Sequence, residues 1–578
     1  MLKKLSSSEY NLIYLLPFLS VAIIDYFYLK RGQFDVFNIE TIAIFYSSAN
    51  SFFNNNLYFL HYSINHHPQN INTFLSIIFY IFFENNFKNF VLYTKIVPFF
   101  NLLFLLVNGL FISFVAKEMQ IKKSSLFLLS LISACTPGVL AFSITTLTGY
   151  YSYGIILVGV TMSSYIIINN KDYRSFLVKL SIGYLGFALN ISYVQMVPLV
   201  SLIIIYFFCT IFLDDTNKNK SLKSYDFNKW EKLSLYLFFI SIFFFLLRAI
   251  LYLVSIKLGY EGNYYFYQFG QTLMIILTIL IVLPLVFVLN KIKFIRENIL
   301  YFLYPFSVGW LIGSNIMFLG WFLSFFTNAL NRGTSENVLK SQGLGKEFFN
   351  FSNFLDLSVF YYFIIIIFVT SIFLCFINRN YKNNLLIIFV IIVNIFMVSD
   401  IIFNFKDTDG YNTNRFLIPL SLALTYFIIV YEKKLSKNLL TVFLILIPLL
   451  SFAEYFKLTK PIKKEINEVK LKSDEIIEDY ISKNNEAKIF CLYTFIPDRC
   501  NFEMSKDFTN SKSNIINLKK SEKFVVISFK DIDKTNFSKG DLLISGKPNN
   551  QVGETLLFWD FPKNFYGTDP YLEIKKIN

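Results

Sequence analysis

Along most of the chain, long apolar stretches alternate with short polar ones rich in lysine. A membrane crossing needs about 20 mostly apolar residues, or about 17 at the short end. The first stretch of that kind runs from about Tyr10 to Leu29, after Lys3 and Lys4. It lacks a small-residue cleavage site and reads as an uncleaved anchor. Further crossings are predicted to begin near Phe90, Ser124, Gly149, Phe176, Val194, Leu233, Gln271, Asn298, Leu357, Asn384, Phe416 and Leu439, thirteen in all. The apolar run at 73–83 is too short to join them: its 11 residues, bounded by Asn70, Asn72 and Glu84, suit an interfacial or re-entrant helix.

Charge placement sets the topology. With an inner N-terminus, the inner side carries Lys3/Lys4, Lys117/Lys122/Lys123, Lys171/Arg174, Lys218/Lys220/Lys223/Lys229/Lys232, Lys291/Lys293/Arg296, Arg379/Lys382 and Lys433/Lys434/Lys437, twenty basic residues. The four short outer connections, near 144–148, 190–193, 257–270 and 405–415, hold three: Lys257, Lys406 and Arg415. Counting 73–83 as a crossing inverts every later loop and breaks the positive-inside bias. The N-terminus is therefore expected in the cytoplasm, and the tail outside.

The alternation ends near residue 459, which divides the chain into a membrane domain, 1–459, and a tail domain, 460–578. The large outer segments are 30–89, 323–356 and that tail. The tail is of ordinary polarity and reads as a small α/β domain. A charged amphipathic helix is predicted over Ile462–Lys483, and strands at Lys488–Tyr493, Phe524–Phe529, Asp541–Ser545 and Leu556–Phe561. There is no internal repeat, which disfavours an inverted-repeat transporter.

Composition agrees with the pattern. Of 578 residues 55% are hydrophobic and 16% charged, with 70 Phe and 37 Tyr. Soluble domains carry about 25% charged residues, and no core of ordinary size hides this many aromatics. A single soluble enzyme, a disordered chain and a secreted disulfide scaffold are excluded. The net charge of +14 sits in short runs between apolar stretches and not on one soluble face, so no nucleic-acid partner is expected. Of the five cysteines, Cys135, Cys209 and Cys375 fall in apolar stretches as small core residues. Cys491 and Cys500 lie in the outer tail, either bridged or as two free thiols. No His/Cys spacing suggests zinc.

Candidate chemistry concentrates in the first outer segment, which holds Asp35, Glu40 and all three histidines, His61, His66 and His67. Aromatic and apolar residues alternate there with Asn and His, as in helices lying at the headgroup level. Carboxylates and imidazoles at that depth suit proton transfer on a lipid-linked substrate, or else cap helices in a solvated loop. Arg248 interrupts the apolar FFFLLRAILYL, where it either pairs with a phosphate or snorkels to the headgroups. Lys257, Glu261 and the run Tyr264–Tyr267 form an outer turn able to stack on sugar or prenyl groups, or to serve as an interfacial aromatic belt. The segment 323–356 is long enough to cover a site.

The order of these features resembles the GT-C superfamily of membrane glycosyltransferases, such as the bacterial dolichyl-phosphate-mannose protein mannosyltransferase-like and aminoarabinose transferase-like proteins. An anchored first helix is followed by Asp35, an interfacial stretch, His67-Pro68, a short apolar run and the second crossing. A later outer loop ends in Asn414-Arg415-Phe416-Leu417-Ile418-Pro419, similar to the family's Arg-Tyr/Phe-x-x-Pro. Three positions depart from the family: Val36 follows Asp35 in place of a second acid, Gln69-Asn70 stand for Pro-Leu, and 145–151 holds no acid. These residues do not support a divalent metal, and no cofactor is expected.

The resemblance implies a transferase at the outer face of the cytoplasmic (inner) membrane, with a polyprenyl-phosphate sugar as donor and a lipid, glycan or protein as acceptor. Asp35 would be the base in an inverting attack, with Glu40 the next candidate. His66, His67, Arg248, Lys257 and Arg415 would bind substrate, the two arginines neutralising the departing phosphate. The rival readings are an O-antigen-type polymerase or ligase, a multispan transporter or flippase, and a non-catalytic scaffold.

Overall fold

The computed structural model describes residues 12–17, 19–20, 23, 78–83, 86–135, 153–169, 175–191, 229–230, 232–240, 243, 280–285, 299–313, 362, 366, 369–370, 373, 428–429, 436, 438–453, 475, 478–479, 482–483, 488–492, 499, 502, 524–528, 542–547 and 571–576, with side chains except at 94–107, 153–157, 189–191, 301, 313 and in the strands. Five helices have defined limits: α1 (Phe87–Glu118), α2 (Lys123–Cys135), α3 (Tyr153–Asn169), α4 (Phe176–Ile191) and α5 (Leu300–Gly313). Further helical residues lie within 12–17, 78–82, 229–240, 280–285 and 438–453. Among the described residues, no helix is long and apolar enough to cross a membrane.

The helix limits follow local chemistry. Asn86 is extended and its side chain accepts the backbone N–H of Asn89 at 2.9 Å, capping α1. At the other end Gln120 takes a left-handed φ of 56°. Its N–H reaches the carbonyl of Lys117 at 3.0 Å, and the N–H of Ile121 reaches that of Ala116 at 2.9 Å. This is a Schellman closure, with Lys117 in the last turn opposite the negative end of the helix dipole. Ile121 is buried, and α2 starts two residues later.

Side chains sort by size and polarity in an uncommon way. The buried polar residues among those described are Ser, Thr and Asn, among them Asn108, Ser113, Ser130, Ser133, Thr161, Ser181 and Ser307, with no charged residue. Many satisfy themselves on their own helix: Ser113 on Gly109 O (2.7 Å), Ser164 on Val160 O (2.7 Å), Ser181 on Leu177 O (2.8 Å). Others join helices. Ser130 Oγ donates to the Tyr14 carbonyl, Tyr14 Oη and Ser133 Oγ lie 3.2 Å apart, and Tyr184 Oη donates to Asn108 Oδ1 at 3.0 Å. The outward faces, by contrast, are apolar. Leu12, Leu16, Leu19 and Ile23 are exposed, as are Tyr362, Ile366, Val369 and Phe373, and Leu439, Val442, Ile445 and Leu449. Each set repeats every three or four residues, so each is one stripe of a helix. Phe443, Ile447 and Ser451 face inward from the last of these helices.

Packing is closest between α4 and α5. A Cβ at Gly309 would fall on the carbonyl oxygen of Gly183, and one at Gly186 on that of Phe306; one at Gly183 would sit 3.2 Å from the Pro305 oxygen. The two backbones touch because three glycines leave nothing between them. On the other side of α4, the Tyr184 ring stacks on Phe111 of α1 at 4.0 Å and 6°. It also occupies the space where Gly159 of α3 lacks a Cβ. Phe114 meets Phe176 at 6.1 Å while Asn108 meets Tyr184, so α1 and α4 run antiparallel.

The tail forms a four-stranded sheet in the order β1 (Lys488–Leu492), β2 (Phe524–Ser528), β3 (Leu542–Lys547), β4 (Tyr571–Lys576). The first three strands are parallel, with Cys491 paired to Ile527 and Ile527 to Ile544; β4 joins β3 antiparallel, with Ile574 opposite Ile544. Parallel neighbours require crossover connections. Three strands stand where the sequence predicts them. The predicted run 556–561 lies outside the described residues, and β4 occupies a segment not expected to pair. Within the predicted 462–483 helix, Lys483 Nζ bonds Asp479 Oδ2 one turn away at 2.7 Å, an exposed pair worth about 0.3–0.5 kcal/mol. Cys135 is buried at the end of α2. Cys209, Cys375 and Cys500 lie outside the described residues.

Candidate functional site

The junction of the tail with the helices joins aromatic and charged side chains in one cluster. It is built from the helical turn 78–82, the first turns of α1, and Arg499 and Phe502, seven and ten residues beyond the end of β1. Phe79 stacks on Phe83 at 4.3 Å and tilts against Tyr93 at 5.2 Å. Phe502 inserts between Phe87 (5.8 Å) and Phe90 (5.6 Å), and Phe79, Phe90, Tyr93 and Phe502 are buried together. The capped start of α1 fixes the spacing: Phe87 and Phe90 are three apart, and Phe90 and Tyr93 three more, so all three rings share one face.

Arg499 lies over the rings of Phe87 and Phe502, its Cζ 5.0 and 5.6 Å from their centroids. Its Nη1 is 3.6 Å from Glu478 Oε1, with side chains 16% and 43% exposed respectively. That separation is an ion pair and not a tight hydrogen bond. The half-exposed carboxylate offsets the charge of a guanidinium held mostly away from water by aromatic rings. The cluster holds an arginine, a carboxylate and six rings but no nucleophile–base pair; its chemistry is anchoring. It ties the tail to the turn 78–82 and to the start of α1.

Asp35, Glu40, His66, His67, Arg248, Lys257 and Arg415, the residues proposed from sequence for catalysis and substrate binding, lie outside the described residues. Of the segment 30–89 the structure describes 78–83 and 86–89, and 78–82 are helical where a short helix is predicted. Among the described residues no group of three or more His, Cys, Asp or Glu could hold a metal. Sequence reasoning missed Arg499, Phe502 and Glu478. A signal was present: Arg499 and Phe502 are three apart, on one helical face, and Arg499 is the only arginine of the tail sequence 460–578. Compared with known proteins, the chain matches no family model, no curated protein and no solved structure.

Proposed function

We propose that the chain is a polytopic membrane glycosyltransferase of the GT-C type, acting at the outer face of the cytoplasmic membrane on a polyprenyl-phosphate sugar. The observation that carries this reading is the order of the N-terminal features: anchored apolar stretch, Asp35, His67-Pro68, short helical run, capped α1. Membrane embedding is supported by apolar side chains left uncovered on the outer surfaces of the helices. Apolar stripes face outward, the buried polar residues among those described are uncharged, and a soluble protein of this size rarely leaves several such stripes uncovered. Hydroxyls on the outward side bond their own helix, Ser20 to Leu16 O at 3.0 Å and Thr370 to Ile366 O at 2.8 Å, as a medium without water demands. The outer topology is supported by the tail cluster. Phe502 touches the start of α1 and the 78–82 turn neighbours it, so the tail and the end of the first outer segment share a side.

In this reading Asp35 removes the proton from the acceptor hydroxyl as the oxygen attacks the anomeric carbon. The bond to the lipid phosphate breaks on the opposite face, and Arg248 and Arg415 stabilise the charge on the departing phosphate. Asp35→Asn keeps size and polarity but removes the base. Transfer from a polyprenyl-phospho-sugar by the purified variant is expected to fall by a factor of about 10²–10⁴ with donor binding retained. Unchanged transfer would remove Asp35 from the mechanism and bring Glu40 forward. Absence of transfer by the unmodified protein across such donors would favour the scaffold.

A further inference from the structure

The helix spanning 229–240 presents an unusual outward corner: Trp230 is 78% exposed, Leu233 46%, and Lys229 and Lys232 flank them in the open. The opposite side of the same helix fixes this orientation. Ser234 Oγ lies 3.3 Å from Ser307 Oγ of α5, Leu235 is buried with Leu300, Tyr304 and Val282, and Phe238 meets Phe306 and Trp310 edge-on at 5.9 and 5.5 Å. The corner therefore cannot turn inward without breaking that packing. A large indole left in water is costly, and the lysines on both sides specify what covers it. Five lysines fall between residues 218 and 232 against two acids, Asp226 and Glu231, and the sequence leading into α5 adds Lys291, Lys293 and Arg296 against Glu297, so both stretches are net basic.

We propose that Lys229, Trp230, Lys232 and Leu233 form a seat for anionic phospholipid at the cytoplasmic edge of the helices, an inference that rests on the membrane reading above. The indole and Leu233 occupy the boundary between acyl chains and headgroups, where amphipathic rings are favoured. The two ammonium groups meet the lipid phosphate and any second acidic headgroup, and supply the preference for acidic over zwitterionic lipid. An acidic peptide would satisfy the lysines but would have to bring its own apolar surface for Trp230. A bilayer offers both at one depth.

The test uses the full chain reconstituted in bilayers of brominated phosphatidylglycerol or brominated phosphatidylcholine, with tryptophan quenching as the readout. The chain has four tryptophans, so the difference between the wild type and Trp230→Phe isolates this one. In mixed bilayers the Trp230 signal is expected to respond preferentially to the brominated acidic lipid. The double variant Lys229→Gln/Lys232→Gln should lower that preference roughly 25-fold, about fivefold per lysine, with an unchanged melting profile. Equal quenching of Trp230 by both lipids, or a preference the double variant retains, overturns the proposal while leaving the membrane reading intact. Release of the chain from native membranes by alkaline carbonate, with no quenching by either lipid, overturns the membrane reading instead. Binding of an acidic peptide at Trp230 in place of lipid also overturns the seat.

Discussion

The α4–α5 seam and the Phe502–Arg499 cluster solve the same problem, holding together segments far apart in sequence, by opposite means. At the seam the contact is backbone on backbone: Gly183 and Gly186 lie against Pro305 and Phe306, and Gly309 against Gly183. No side chain there can move aside. In the cluster the contact is ring on ring, with Phe502 seated between Phe87 and Phe90 and a guanidinium laid over two of the rings. Side chains have rotamers and can reseat. The seam is therefore expected to behave as a fixed part of the helical frame, and the cluster as a joint that opens without unmaking either side.

The sharpest way to break this comparison is at the seam. Gly309→Leu puts a branched side chain where a Cβ alone already falls on the Gly183 carbonyl. Its cost is expected to exceed the ~3 kcal/mol usual at the upper end of core overpacking, because the obstruction is backbone. Loss of the monodisperse folded species in size-exclusion chromatography would report it. A variant that stays folded with an unchanged melting temperature would show that the helices can separate there at little cost.

A smaller and more local effect is expected at the joint. Phe502→Ala removes a fully buried ring and should cost about 3–5 kcal/mol, felt between the two regions and not within them. Limited proteolysis should then release a fragment near residue 460 far faster than in the wild type, while the helical melt stays where it was. If the helices melt together with the tail, the distinction between frame and joint fails.

The smallest effect sharpens the picture at a helix end. Gln120 holds a left-handed φ of 56° that glycine adopts without steric cost. Gln120→Gly should stabilise the α1–α2 corner by about 1 kcal/mol, visible as slower amide exchange at Ile121. Destabilisation there would mean that the glutamine side chain contributes more than its backbone strain costs.

Much of the local structure was legible along the chain. Asn86 before an apolar run marks the start of α1, Ser175 that of α4, and the predicted openings near Phe90, Ser124 and Phe176 fall within three residues of the observed ones. Strands β1 to β3 are apolar runs bounded by polar residues, and they stand where expected. The strand β4, YLEIKK, is alternating and charged on one side; only its place on the edge of the sheet, against Leu542–Lys547, makes it a strand. The expected site residues, Asp35 foremost, rest on sequence alone.

The sequence by itself determined periodicity and helix ends, because these depend on residues within a turn or two of one another. Tertiary structure alone decided which serines face each other, that Tyr184 seats over Gly159 and bonds Asn108, that Gly309 meets Gly183, and that Phe502 reaches Phe90. Those contacts join positions 25 to more than 400 residues apart. A glycine or a serine carries no mark of its distant partner. Whether it is a gap to be filled or a surface to be touched is fixed only when another backbone arrives at about the distance a missing Cβ allows.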